Sequence, residues 1–293
     1  MTRSKFHIIS ATVLLAILLA ACASHQGLPD TQVLNTAEPA RVTVSNNVVF
    51  TPAKWPESLS ADIYRPVVEG GGPYPGVVMI HGGGWTGRTR ADMDKISRAV
   101  AARGYVVMNM SYRLAPKYRF PAQLQDVIQA VAWLRKNAAV NNVRADRIGA
   151  WGYSAGAHLA TLAGMTGPGD KEFVEGARVQ AVVGGGTPVD VRYYKKSPLT
   201  NALMGVSYDK NPDIWREASP IALVTPDDPP VFLYHGTFDY TVGVKNSEAL
   251  YDALTAAHVP SELYTMRGLD HFATFLVDAP VEQGIAFLDR YLR

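Results

Sequence analysis

Apolar positions along this chain fall into two kinds of run. Short, nearly continuous apolar blocks occupy 77–81, 105–110, 147–151, 179–184, 231–235 and 262–266, with a more alternating one at 60–65. Between most of them lie longer stretches, at 91–102, 124–137, 157–165, 245–257 and 281–292, where apolar residues recur every three or four positions. The first kind predicts β-strands, mostly buried on both faces, and the second predicts α-helices with an apolar stripe. Because the two alternate, the predicted fold class is α/β, a mostly parallel sheet with helices on both faces. One connection is far longer than an ordinary strand–helix link. Residues 187–229 hold Tyr193, Tyr194, Trp215 and several prolines, which predicts a small lid segment over one end of the sheet.

The start of the chain follows another pattern. Arg3 and Lys5 precede an apolar run from Ile8 to Ala21, too short for a comfortable membrane span, which ends in Leu19-Ala20-Ala21-Cys22. A signal peptide is predicted over 1–21. Its ending resembles a bacterial lipoprotein signal, in which Cys22 would be lipidated and become the new N-terminus. Cys22 is the single cysteine, so no internal disulfide can form, and an exported free thiol would be a liability unless it were consumed. The expected layout is therefore signal 1–21, polar tether 22–46 and globular domain 47–293. The expected location is the bacterial cell envelope, with attachment to a membrane through Cys22.

Charge removes one class of partner. The chain has 28 Lys and Arg against 26 Asp and Glu, and loss of 1–21 takes Arg3 and Lys5 but no acid, leaving the signs equal. A balanced surface has no nucleic-acid footprint.

The chemistry gathers where predicted strands end. Gly152-Tyr153-Ser154-Ala155-Gly156 joins a strand-like run to an alanine-rich helix-like run. A serine used as a nucleophile sits on a sharp strand-to-helix turn, and glycines on either side avoid clashes there, so Ser154 is the candidate nucleophile. Upstream, an apolar strand runs into His81-Gly82-Gly83-Gly84-Trp85. Consecutive glycines let backbone N–H groups approach a developing oxyanion, which makes Gly83 and Gly84 candidate donors beside Ala155. A second triple glycine, Gly184-Gly185-Gly186, is read as an ordinary turn.

A nucleophilic serine also needs a base and an orienting acid. His271 and Asp239 lie in loops just past predicted strands, where ligand sites of open parallel sheets are built. Asp270 competes as the acid, but adjacent side chains diverge, so a direct bond to the ring of His271 is awkward. His158 and His235 read as satisfied structural residues. No His, Cys or carboxylate cluster has metal-ligand spacing, and neither a metal nor another cofactor is expected.

With these motifs the chain resembles α/β-hydrolase-fold carboxylesterases, of the hormone-sensitive-lipase-like and bacterial feruloyl- or acetyl-xylan-esterase-like branches. The resemblance runs from about Val48 to the C-terminus and is carried also by Ser111-Tyr112-Arg113-Leu114-Ala115-Pro116 and Phe120-Pro121-Ala122-Gln123-Leu124-Gln125-Asp126. It implies a triad of Ser154, Asp239 and His271, with Gly83, Gly84 and Ala155 as oxyanion donors. Two features depart from it. The segment before Val48 is too short and polar to form the helical cap of many relatives, and Asp270-His271-Phe272 replaces their usual Gly-His-x-Phe.

The expected activity is hydrolysis of short-chain or carbohydrate-linked esters of acetyl or feruloyl type. An amidase, formamidase or peptidase of the same fold is the alternative, and a non-catalytic lipoprotein is a third reading. Trp85, Tyr153 and Trp215 are the candidate substrate-binding residues, with Trp85 and Trp215 able to form an aromatic slot.

Overall fold

The computed structural model describes residues 23–29 and 38–293; Cys22, the signal run and 30–37 lie outside the described residues. The sheet orders its strands β1-β9-β8-β7-β6-β4-β5-β3-β2. The strands are β1 (Ala23–Gln26), β2 (Arg41–Val49), β3 (Ser60–Val67), β4 (Tyr74–Ile80), β5 (Val106–Met110), β6 (Val143–Tyr153), β7 (Val182–Gly185), β8 (Val231–Gly236) and β9 (Ser261–Met266). Strands β5, β4, β6, β7, β8 and β9 are parallel, while β1, β2 and β3 pair antiparallel at the edges. This is an α/β-hydrolase fold.

Strand alternation builds two cores, one on each face of the sheet. Val78 and Ile80, Val106 and Met108, Ile148 and Ala150, and Val231 and Leu233 point to one face. There they meet α2 (Ala122–Lys136), α3 (Ala155–Met165) and α6 (Lys245–Ala256). Val77 and Met79, Trp151 and Tyr153, and Phe232 and Tyr234 point to the other, against α1 (Asp94–Ala102) and α8 (Ala279–Leu292). The helices α4 (Pro198–Met204) and α5 (Pro212–Glu217) of the 187–229 segment add Leu203, Met204 and Trp215 to the first of these cores, and α7 (His271–Leu276) lies just past β9.

Connection order then sets the position of the site. The chain leaves β4 for β5 on one side, crosses back over β4 to β6, and continues outward through β7, β8 and β9. Adjacent strands β4 and β6 are therefore followed by connections running in opposite directions. At such a switch point a crevice opens beyond the carboxyl ends of the strands.

The expected tether is corrected by two stretches of this sheet. Ala23–Gln26 pairs with β9, and Arg41–Val49 pairs with β3, so the 46/47 boundary does not separate a free tether from a domain. Both are edge strands whose exposed and covered positions alternate. Such strands are held by ladder hydrogen bonds more than by apolar burial, so polar residues such as Ser24 and Gln26 serve in them. His25 adds a side-chain anchor, 2.9 Å from the buried Glu262.

The motif segments at 111–116 and 120–126 prove to be one buried joint. Asp126 accepts hydrogen bonds from the Arg113 backbone N–H at 2.8 Å, from its Nε at 2.8 Å, and from Trp55 Nε1 at 2.7 Å. Arg113 Nη2 also donates to the Ala122 carbonyl, tying the loop after β5 to the first turn of α2. Both side chains are buried, and burial pushes the Asp126 carboxyl upward against the opposing pull of Arg113. Removing one partner would strand a buried charge. Asp126→Ala is therefore expected to lose roughly 3–5 kcal/mol of stability in urea unfolding, and the paired replacement Arg113→Met with Asp126→Leu much less. A single variant as stable as the parent would contradict this role.

Candidate active site

Ser154 follows β6 directly and caps α3 in a strained conformation, φ 56° and ψ −123°. Its N–H donates to the Gly185 carbonyl at 2.7 Å, and its own carbonyl accepts from the His158 N–H at 2.9 Å, so packing holds a geometry the residue would not choose. The flanking glycines are steric requirements. A Cβ on Gly152 would run into the Gly156 backbone, and one on Gly156 into the Ile80 carbonyl at the end of β4.

Three elements bring the polar chain together. His271, the first residue of α7, places Nε2 2.9 Å from Ser154 Oγ and Nδ1 2.5 Å from Asp239 Oδ2. The second oxygen of Asp239 accepts from the N–H groups of Thr241 and Val242 at 2.9 and 2.8 Å. Burial opposes the Asp239 charge, but hydrogen bonds from His235, His271 and the Val242 N–H outweigh it and hold the carboxyl well below the usual carboxylate range. Asp270 is elsewhere. Its side chain caps α7, accepting from the Phe272 and Ala273 N–H groups, and the departure from Gly-His-x-Phe is thereby a helix N-cap.

Two residues read as merely structural contribute to this arrangement. His235 Nε2 lies 2.7 Å from the Val242 carbonyl and 3.1 Å from Asp239 Oδ2, both acceptors, so the proton sits there and Nδ1 accepts from Ser247. Asp239 is thus held between two imidazoles. Gly186 packs beneath the His271 ring, where a Cβ would stand 2.9 Å from Cε1. A polar atom four residues before a loop aspartate was the available signal for His235; nothing local marked Gly186, because its neighbour is 85 residues away.

Gly83, Gly84 and Ala155 line one cavity of about 250 Å³ together with Ser154 and His271. Gly83 and Gly84 have φ of 109° and 59°, accessible to glycine without strain. Ala155 opens α3, where a helix leaves its first N–H groups without intrahelical partners. Trp85 and Tyr153 also line this cavity, and the Tyr153 hydroxyl donates to the His271 carbonyl. Leu199 and Tyr194 from the 187–229 segment and Phe275 complete an apolar wall.

Trp215 does not reach it. Its ring is fully buried, packs edge-on against Tyr208 and donates to the Val206 carbonyl at 3.0 Å, making it the core of the 187–229 segment and ruling out a slot with Trp85. What connects the 187–229 segment and the glycine loop after β4 is His158, whose Nδ1 accepts from Trp85 Nε1 at 3.1 Å while Nε2 donates to the Ala218 carbonyl at 2.8 Å.

Residues 61–254 match the BD-FAE family model. The Esterase LipC of Mycobacterium tuberculosis is 33% identical over 201 residues, 63% of this chain and 49% of that protein. Among solved structures, a truncated form of a carbohydrate esterase from gut microbiota superposes with a TM-score of 0.74 at 26% identity, covering 87% of this chain and 99% of that one. A bifunctional GH43-CE protein of Bacteroides eggerthii gives 0.75 at 26% identity, covering 84% of this chain and 35% of that one. The chain spans about half the length of the curated relatives it matches.

Burial pushes His81 and His158 down to about 4. In the unfolded chain both would titrate near pH ~6.5, so between these values the unfolded state binds protons that the folded state refuses. Stability is then present above about pH 6.5 and falls as pH drops toward about 4, by on the order of 3 kcal/mol for each ring. Protonated His158 could no longer accept from Trp85. Melting curves between about pH 7 and about pH 4.5 should show this decline, shallower in His158→Gln; parallel curves for parent and variant would reject His158 as a source.

Proposed function

The chain belongs to the BD-FAE family, and from that membership we propose that it is a serine carboxylesterase acting on short-chain or carbohydrate-linked acyl esters. The observation that carries this reading is the unbroken hydrogen-bond chain from Ser154 Oγ through His271 to Asp239. Ser154 Oγ attacks the ester carbonyl while His271 Nε2 takes its proton, and Asp239 fixes the tautomer with the proton on Nδ1 and stabilises the imidazolium that forms. The N–H groups of Gly83, Gly84 and Ala155 receive the oxyanion. Collapse of the tetrahedral intermediate expels the alcohol, protonated by His271, and leaves an acyl group on Ser154. Water, deprotonated by the same imidazole, then releases the acid and restores the serine.

The apolar cavity beside Ser154 supports short acyl groups. Leu199 stands directly over Gly84, close enough that a Cβ on that glycine would touch it, and Phe275 adds a second wall. Added methylenes would gain about 0.8 kcal/mol each only while they remain buried. With p-nitrophenyl esters, kcat/KM should peak between acetyl and butyryl, and Ser154→Ala should abolish both turnover and fluorophosphonate labelling. A maximum at decanoyl or longer would indicate a lipase, and labelling that survives Ser154→Ala would reject the nucleophile.

The two carboxylates can be separated by rank. Asp239→Asn should lower kcat by roughly 10⁴-fold, by analogy with the serine-protease triad. Asp270→Asn should change it little, because asparagine also caps helices well. Steady-state kinetics with the reverse ranking would assign the orienting role to Asp270.

A further inference from the structure

Among the described residues, the exposed phenylalanines and tyrosines are Tyr193, Phe238, Tyr240 and Phe272, and all of them lie in the connections that follow β7, β8 and β9. Leu199 and Leu276 are exposed beside them. These connections frame the mouth of the Ser154 cavity: Leu199 and Phe272 line it, while Tyr193 and Tyr240 adjoin Tyr194 and Thr241, which also line it. Large apolar groups gathered at one place on a surface mark a site that something covers.

The point where the chain enters the sheet identifies the cover. Strand β1 runs antiparallel to β9, and Ala23 pairs with Met266, the last residue of β9, so the chain enters at the carboxyl edge of the sheet, the edge that carries the mouth. Strands β1, β9, β8 and β7 are successive neighbours, which puts this entry beside the exposed rim. Cys22 lies outside the described residues, but the peptide bond to Ala23 holds their Cα atoms about 3.8 Å apart, so acyl chains on Cys22 would leave the protein at this edge with no tether between. We propose that the exposed rim is a membrane-docking surface, which rests on the headgroup region of a phospholipid bilayer and turns the mouth of the Ser154 cavity toward it. The inference takes up the expected lipidation of Cys22 and is independent of the esterase reading.

The composition of the rim suits this partner. Tyrosine joins an apolar ring to a polar tip, and such side chains settle at headgroup depth. Exposed Lys195 and Lys196 adjoin Tyr193 and Tyr194 in sequence, and exposed Arg267 follows Met266, so each would attract an anionic leaflet. Acyl chains fix one point of the enzyme, and the rim supplies the second contact that sets its orientation.

The test exploits the single cysteine. Lipidation consumes Cys22, so an introduced cysteine is the one thiol open to labelling. The full-length chain is produced in a bacterium that processes lipoproteins, labelled with an NBD fluorophore and reconstituted into vesicles of phosphatidylethanolamine and phosphatidylglycerol. Tyr240→Cys places the label on the rim, at a position 90% exposed, and Val140→Cys places it just before β6 at the opposite edge, at a position 81% exposed. The six residues of β8 separate these edges by roughly 20 Å, too far for one bilayer surface to cover both. Iodide quenching of the label at 240 should fall severalfold on reconstitution while that at 140 stays unchanged. Tyr193→Cys, on another connection, should behave like Tyr240→Cys and serves if that variant misfolds. Equal quenching at both edges, or protection at 140 alone, overturns the docking surface. So does protection at 240 that needs no vesicles and rises with protein concentration, which would make the cover a second copy of the chain. Mass spectrometry that finds Cys22 without acyl chains overturns the anchored orientation too. Turnover of p-nitrophenyl acetate by the parent protein tests the esterase reading separately, so either can fail while the other stands.

Discussion

The contact on which the site depends is the backbone approach of the Ser154 turn to the end of β4. Gly156 lies against the Ile80 carbonyl with no room for a side chain, and the residues after Ile80 are the glycine loop 82–84. One steric requirement therefore sets the separation between Ser154 and the backbone N–H groups proposed to receive the oxyanion. The strain of a serine at positive φ is on the order of 1–3 kcal/mol and is held by the surrounding structure, here by the hydrogen bond to Gly185 on one side and the start of α3 on the other. The topological switch between β4 and β6 makes this approach possible, because neighbouring strands whose connections diverge leave their ends uncovered.

Electrostatic organisation radiates from Asp239 in the same economical way. A buried carboxylate needs its lone pairs satisfied, and Asp239 meets two backbone N–H groups and two imidazoles. His235 is in turn fixed by Ser247 and the Val242 carbonyl, so the loop that carries Asp239 is closed by contacts that do not involve His271. His158 does for the glycine loop after β4 what His235 does for Asp239. It bridges Trp85 to Ala218, so the 187–229 segment, α3 and the glycine loop after β4 share one buried imidazole.

The glycine loop after β4 also divides two environments. On the Ser154 side the walls are largely apolar, and on the other they carry ions and hydroxyls. Arg88 is present in both walls.

The central strands and the major helices were legible in the sequence because each is long, strongly patterned and buried, so local periodicity and tertiary environment agree. Ser154, Asp239 and His271 could be singled out because each follows a readable strand and carries a side chain with few other uses there. The edge strands were not legible: Ala23–Gln26 is polar, and it is a strand only because β9 offers unpaired backbone groups beside it. Tertiary structure alone decided the rest, since Trp215 turned into the lid core, Gly186 took its place under the His271 ring, and His235 joined Asp239 through partners that periodicity does not encode. Local pattern specifies which face of an element seeks burial. Which polar atom meets which other depends on distances between elements, and those exist only once the chain has folded.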